Sequence, residues 1–366
     1  MLTILFFAVI VISATIAIFL NQRSFGKAPS GQRLQRIKNS PNFKNGKFQN
    51  QEITPQFAED TSMPAVMYRI LFGKKHHTRP VSPLRFTKTE LSTLSPDENV
   101  YIWMGHSSYY LQLDGRRILV DPVFSGNASP VSFTTKAFAG TDLYSVSDIP
   151  ELDYLIITHD HWDHLDYKTV TALQPKVNQV ITGLGTGEHL EYWGYKPEQI
   201  IELDWGEKHC FQDGLMVFAE TARHFSGRGL KRDRAIWASF VLSTAQHQIY
   251  VGGDSGFGKH FKKIGERYGG FDLAILENGQ YNHDWRYIHM MPDEFLKAAA
   301  DLNAKRIIPV HNSKFSLAPH PWKEPLETLS ELNKKSGSRL ITPKIGEKVF
   351  WLNDEHNYEK WWTQFD

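Results

Sequence analysis

Cysteine is all but missing from this chain: Cys210 is the only one in 366 residues. That excludes an intrachain disulfide and every Cys-rich zinc site, so any bound metal must be held by histidine and carboxylate. An unpaired thiol also fits a reducing compartment. An excess of charge of one sign is missing too. The 41 Lys and Arg are matched by 40 Asp and Glu, for a formal net charge of +1, and a nucleic-acid partner, which calls for a strong or concentrated basic excess, is not expected. No internal repeat is evident, and nothing fixes an oligomeric state. What remains is an ordinary globular balance of 41% apolar and 22% charged residues. That is enough to build a core over most of the length, and it fits one catalytic domain with a leader.

The leader is the one long hydrophobic run. From Leu2 to Leu20 there is no charged residue, and at helical rise such a run crosses a hydrocarbon core of roughly 30 Å. A cleaved signal peptide is the rival, but no Lys or Arg precedes the run and no Ala-x-Ala site follows it. Residues 1–22 are therefore expected to be a transmembrane anchor, or an uncleaved signal. Arg23, Lys27, Arg33, Arg36 and Lys38 follow it, and the first acid is Glu52. Basic residues flanking a span stay on the cytoplasmic side, so the expectation is a single-pass membrane protein with its catalytic domain in the cytoplasm. Gly, Pro, Ser, Asn and Gln are frequent from 23 to 56, which reads as an extended basic linker near the lipid surface. The catalytic domain is expected over 57–366.

Beyond Asn99 the pattern becomes one of short strands. Asn99 to Met104 and Ser108 to Leu113 precede Asp114-Gly115, a two-residue hairpin signal, and the run Ile118-Leu119-Val120 follows. Further apolar runs lie at Tyr154 to Ile157, Leu215 to Phe218, Ile249 to Gly252, Leu273 to Leu276 and Arg306 to Val310. Helices are expected at Phe257 to Tyr268 and Pro292 to Leu302, the latter opened by Pro292, Asp293 and Glu294. Strands interleaved with helices in this way suggest stacked sheets with helices outside.

The chemistry is concentrated after one strand, where Tyr154 to Thr158 runs into His159-Asp-His161-Trp-Asp163-His164-Leu-Asp166. Three His and three Asp within eight residues of a buried strand would be costly to desolvate unless their charges were matched. His159 and His161 can point at one ion, and Asp163 and His164, a turn further on, can serve a second.

This pattern resembles the His-x-His-x-Asp-His signature of the metallo-β-lactamase superfamily. Within it the sequence is similar to the N-acylphosphatidylethanolamine-hydrolysing phospholipase D family from about Val100 to the C-terminus. The supporting stretches are Trp103-Met-Gly-His106-Ser, Ile118-Leu-Val-Asp121-Pro-Val-Phe-Ser125, Gly253-Asp-Ser-Gly-Phe257, the segment from Ile264 to Leu273, and His311-Asn-Ser-Lys-Phe315. The resemblance implies an αββα sandwich of the α/β (α+β) class. It assigns His159, His161 and His224 to one ion, Asp163, His164 and His311 to the other, and Asp254 to a bridge between them. It gives catalytic roles to Asp163, Asp254 and His289, and makes Asp121 a residue that orients ligand imidazoles. His106 is a near-site residue or a loop hydrogen-bonder. Ile288 stands where the family has Gln, and Asn312 where it has Trp, so the pocket departs from the pattern. Tyr281, Trp285 and Tyr287 line the entrance or fill core.

Neutral imidazoles and carboxylates suit two Zn²⁺, with Fe or Mn as alternatives. The implied activity is metal-dependent hydrolysis of a phosphodiester in N-acylphosphatidylethanolamine-like lipids by a metal-held hydroxide, with lipid and the membrane surface as partners. A lactonase or amide hydrolase of the same fold is the alternative, and a non-catalytic metal-binding membrane protein the remote one.

Overall fold

The apolar runs become strands because both of their faces are covered. The structure, a computed structural model, describes residues 2–73 and 76–366; Met1, the first residue of the expected 1–22 anchor, lies outside the described residues. Ahead of the main body come α1 (Leu2–Leu20), α2 (Gly31–Asn39), a small hairpin of β1 (Phe43–Lys44) and β2 (Lys47–Phe48), and α3 (Met63–Phe72). The first large sheet is laid down by β3 (Val100–Trp103), β4 (Tyr109–Leu113), β5 (Arg116–Val120), β6 (Leu152–Ile157), β7 (Val177–Gly183) and β8 (Ile200–Leu203), with α4 (Tyr167–Leu173) and α5 (Gly187–Tyr192) between the last three. The second contains β9 (Lys208–Cys210), β10 (Met216–Thr221), β11 (Ala238–Ser243), β12 (Gln248–Val251), β13 (Leu273–Glu277), β14 (Arg306–Val310) and β15 (Arg339–Leu340). Its helices are α6 (His260–Tyr268), α7 (Pro292–Asp301) and α8 (Glu324–Ser336), and β16 (Lys348–Val349) returns to the first sheet.

Each sheet has seven strands, ordered β16-β3-β4-β5-β6-β7-β8 and β15-β14-β13-β12-β11-β10-β9. Each begins antiparallel and turns parallel, at β5–β6 in the first and β12–β13 in the second. Alternation along the strands sorts their side chains between two cores. Ile118, Val120, Tyr154, Ile156, Leu273 and Ile275 point between the sheets into a tryptophan-rich core with Trp103, Trp237, Trp351 and Trp361. Leu119, Leu155 and Ile157 point the other way, onto Val170 and Leu173 of α4 and Leu190 of α5. Ala274 and Leu276 pack on Phe261, Phe295 and Leu329 of α6, α7 and α8. The layering is helix, sheet, sheet, helix, as the resemblance implied. The Asp114-Gly115 turn has φ of 47° and 82°, the pair of positive values that a type I′ hairpin needs.

Among the described residues one helix, α1, is long and apolar enough to cross a membrane, and none of its Thr3–Leu20 window is buried. A signal sequence passes the same test. The reading of 23–56 as an extended linker is corrected. This stretch folds onto the domain: Ile37 and Phe48 join the inter-sheet core, and Arg33 makes ion pairs of 2.7, 3.0 and 2.6 Å with Glu188, Glu191 and Glu202. Lys27, Arg33 and Arg36 look unmatched in sequence because the acids that pair with them lie more than 150 residues away.

Candidate metal centre

The candidate ligands meet because loops leaving two adjacent strands of the first sheet and three alternate strands of the second empty onto one edge of the sandwich. β6 delivers His159, His161, Asp163 and His164; β10 delivers His224; β12 delivers Asp254; β14 delivers His311; and β5 ends at Asp121. The Nδ1 of His161 lies 2.9 Å from Nε2 of His159 and 3.2 Å from Nε2 of His224, so three ring nitrogens converge as the first ion would require. Asp163, His164, His311 and, in addition, His106 offer a second converging set. Asp254 lies between the two. Its Oδ2 is 3.2 Å from His164 Nε2, 3.7 Å from His224 Nε2 and 3.9 Å from His159 Nε2, and its Oδ1 is 3.1 Å from His311 Nδ1. All seven residues assigned to metal from the sequence are thus brought together.

The electrostatics of four of the five imidazoles fit a ligand role, while the fifth, His164, is drawn well above its ordinary range, against burial, by Asp254, Asp163 and Asp121. Burial holds His159, His224 and His311 well below the ordinary imidazole range, and His161 below it, which leaves them neutral, the form that ligates. Burial alone would raise Asp163 and Asp254, but His164 and other neighbouring imidazoles overcome it and hold both carboxyls well below their usual range. His164 Nε2 and Asp254 Oδ1 are buried without a hydrogen-bond partner. Orphaned polar atoms of this kind inside a fold are costly unless an ion or water takes them up. A donor set of five imidazoles and two carboxylates, with two of its atoms unmatched, is the chemistry of a divalent transition-metal site.

A second layer aims these rings. Asp121 accepts from Thr158 N at 2.8 Å and Thr158 Oγ1 at 2.7 Å, and lies 2.7 Å from His164 Nδ1, which turns Nε2 of His164 toward the site. It therefore stands where the sequence expected an orienting carboxylate. The main-chain oxygen of Ile288 lies 2.9 Å from His224 Nδ1. Since the backbone makes this bond, the Ile288 side chain has no part in holding the His224 ring. Asn312 donates to the carbonyls of Asn278 and Val310 and is a buried brace of the β14 exit. His106 is fully buried with Nε2 2.9 Å from Asp163 Oδ2, which makes it a near-site residue.

His289 sits beside this cluster, its ring 5.0 Å from that of His224 and stacked 5.2 Å from that of His311. Its Nδ1 is 2.7 Å from Oε2 of Glu277, whose Oε1 accepts from Met290 N at 2.6 Å. Burial pushes the Glu277 carboxyl up to about 7, while Glu277 draws His289 above the ordinary imidazole range against the opposing effect of burial. Sequence reasoning passed over Glu277. The signal was there: it closes the apolar run Leu273 to Leu276, the placement that marked the other candidates. Of the entrance aromatics, Tyr281 is buried on Glu324 and Tyr287 lies under Arg223, 5.0 Å away. Trp285 lines an 820 Å³ cavity together with Arg69 and Leu317.

Comparison with known proteins agrees with this geometry. The beta-lactamase superfamily domain matches residues 116–312. An uncharacterized protein of Mycobacterium tuberculosis is 35% identical over 314 residues, spanning 85% of this chain and 84% of its own length. The N-acyl-phosphatidylethanolamine-hydrolyzing phospholipase D 1 of Caenorhabditis elegans is 30% identical over 263 residues, 67% of this chain and 74% of the nematode protein. Among solved structures, the isothiocyanate hydrolase from Delia radicum gut bacteria shares the fold with a TM-score of 0.55 at 19% identity, over 68% of this chain and 98% of that one. With the helix-sheet-sheet-helix layering and a His/Asp cluster able to hold metal at one edge, the chain belongs to the metallo-β-lactamase superfamily, near the N-acylphosphatidylethanolamine-hydrolysing phospholipases D, and is a metal-dependent hydrolase.

Proposed function

We propose that this chain is a dinuclear zinc phosphodiesterase of phospholipase D type, acting on N-acylphosphatidylethanolamine-like lipids at a membrane to which α1 attaches it. The observation that carries the reading is the Glu277–His289 pair beside the ligand cluster. A ring nitrogen tied to a buried carboxylate leaves the other free to hold or deliver a proton, which a phosphodiester with a poor alkoxide leaving group needs. The nematode relative, named for this activity, supports it.

In this reading His159, His161 and His224 would hold one ion and Asp163, His164 and His311 the other, with Asp254, which lies between the two sets, serving both. When bound, the pair supplies Lewis-acid stabilisation of phosphoryl oxygens and a nucleophile from water at neutral pH. The protein does the rest. Asp121 and the Ile288 carbonyl keep two ligand rings from turning, and the buried strand ends fix the cluster before substrate arrives. His289 donates its Nε2 proton to the departing alcohol oxygen, and Glu277 stabilises the imidazolium before that transfer. Water adds to phosphorus, the bond from phosphorus to the N-acylethanolamine oxygen breaks, and phosphatidic acid is the second product. Two divalent ions less two carboxylates leave a positive site that favours an anionic phosphodiester over a neutral amide or lactone.

The deciding experiment supplies N-acylphosphatidylethanolamine in mixed micelles alongside a simple lactone and a β-lactam, with products identified by mass spectrometry. Phosphatidic acid together with N-acylethanolamine is the expected pair. Diacylglycerol in place of phosphatidic acid would refute D-type cleavage, and equal or faster turnover of the lactone would move the assignment to lactonase. For placement, protease added outside sealed right-side-out vesicles is expected to leave the domain whole. Digestion there would reverse the orientation and leave the chemistry untouched.

A further inference from the structure

The residues just beyond α1 end on the metal-bearing loop. Arg228, in the loop that follows His224, is only 4% exposed. Its NH1 donates to the carbonyls of Asp160 at 2.9 Å and Leu165 at 2.6 Å, the two ends of the turn that carries His161, Asp163 and His164. Its guanidinium lies over the ring of Trp162, 3.9 Å from the centroid, in the middle of that same turn. The remaining donors, Nε and NH2, both reach the carbonyl of Ser24, at 3.1 and 2.9 Å. One buried cation thus joins both ends of the ligand loop to the chain four residues past the apolar helix.

A second path closes the ring. Asp160 Oδ1 accepts from Gly227 N at 2.6 Å, its Oδ2 is 3.4 Å from His189 Nε2, and His189 Nδ1 accepts from Lys27 N at 3.0 Å. Between Ser24 and Lys27, the ring of Phe25 meets Trp162 edge to face at 5.0 Å, and Trp193 Nε1 donates to the carbonyl of Arg23 at 2.7 Å. Gly26 is required here. It has φ of 75°, and a Cβ would stand 2.0 Å from His189 Nδ1, a ring that its bonds to Lys27 and Asp160 keep in place.

We propose that residues 23–27 are a working part of the metal site. Arg228 is a positioning residue through which this juxtamembrane strap holds His161, Asp163 and His164 in ligating geometry, so that metal retention depends on a segment outside the ligand set. The inference rests on the assignment of those three residues as ligands. It also fixes the foot of α1 against the metal loop, where a free linker would have let the two drift apart.

The test uses the full-length protein in detergent, loaded with zinc and mixed with a chromogenic chelator that reports zinc release. Arg228→Met and Gly26→Ala are expected to release zinc at least about tenfold faster than wild type, the usual effect of loosening the layer behind a ligand. Arg228→Lys, which cannot span all three carbonyls, should fall between. Leu230→Ala, at an 84% exposed position nearby, should release at the wild-type rate. Melting of the zinc-free proteins, followed by circular dichroism, separates this from a general loss of stability. A merely structural strap would lower that melting temperature and leave release from the folded protein unchanged. If the two strong variants do not fold, Phe25→Ala, which removes the ring contacts with Trp162 and with Phe19 of α1 but no hydrogen bond, decides the matter by the same release rate. Wild-type release from the folded variants would overturn the inference and leave the ligands standing, whereas a wild type that takes up no zinc would overturn the ligand assignment itself.

Discussion

Asp254→Ala is expected to lower turnover on the lipid substrate about a thousandfold and to leave no more than one ion per chain. Seven candidate ligand side chains are too many for one tetrahedral ion, and the Asp254 carboxylate lies within 4 Å of ring nitrogens from both sets. Its loss separates two positive centres that would otherwise act together. Several kcal/mol of transition-state stabilisation is what a metal pair contributes, and at 1.36 kcal/mol per tenfold about 4 kcal/mol corresponds to that loss. Elemental analysis of the wild type should give close to two ions. Chelator treatment should abolish activity, and added zinc should restore it in wild type but not in Asp254→Ala. A wild type that stays at one ion or fewer after reconstitution would defeat the dinuclear reading.

Much of the architecture was legible because a sandwich with helices on both outer faces buries its strands twice over. Such strands read as unbroken apolar runs, and Arg306–Val310 matches its expected span residue for residue. The strands that went unread are those whose patterns are diluted. β7 carries Asn178, Gln179 and Thr182, and β11 carries Ser239 and Ser243, polar residues that break the run although each strand pairs with a neighbour on both sides. The two sheets share the same switch from antiparallel to parallel without any repeat in the sequence. Strand polarity and order are set by backbone pairing and crossover length, and different side chains can fill the same layers. The segment 23–56 differs from its expected form for another reason. Composition marks Gly, Pro, Ser, Asn and Gln as linker material, but whether such a segment is free depends on what it meets, and Glu188, Glu191 and Glu202, the partners of Arg33, are out of reach of any local window.

The candidate metal ligands were legible for a physical reason as well as by resemblance. A ligand must be polar, buried and rigidly aimed, so it stands at the end of an apolar strand as an exception to its surroundings. His224, Asp254 and His311, to which the resemblance pointed, obey that rule, and so does Glu277, to which it did not point. Residues that act by position rather than by type leave no such mark. Ile288 contributes a carbonyl, which any residue has, and Arg228 looks like one more cation in a loop rich in them.

His289→Ala should leave the metal content at the wild-type level and lower kcat on the lipid by about 100-fold or more, the usual effect of removing a general acid. The ring is held by Glu277 through Nδ1 at 2.7 Å and sits beside the ligands without belonging to the set assigned to either ion. Metal counting and turnover should therefore separate. Leaving-group dependence tests the role more closely. A nitrophenyl phosphodiester expels an anion that needs no proton, so His289→Ala should slow its hydrolysis only slightly, while an alkyl ester of the same phosphate should suffer the full loss. Glu277→Gln keeps an acceptor for Nδ1 but removes the charge that stabilises the imidazolium, so it should show the same pattern with a smaller amplitude. Equal slowing of both esters would make His289 a binding residue for the phosphoryl group. Loss of an ion in His289→Ala would place it among the ligands and leave the proton for the departing alcohol without a donor.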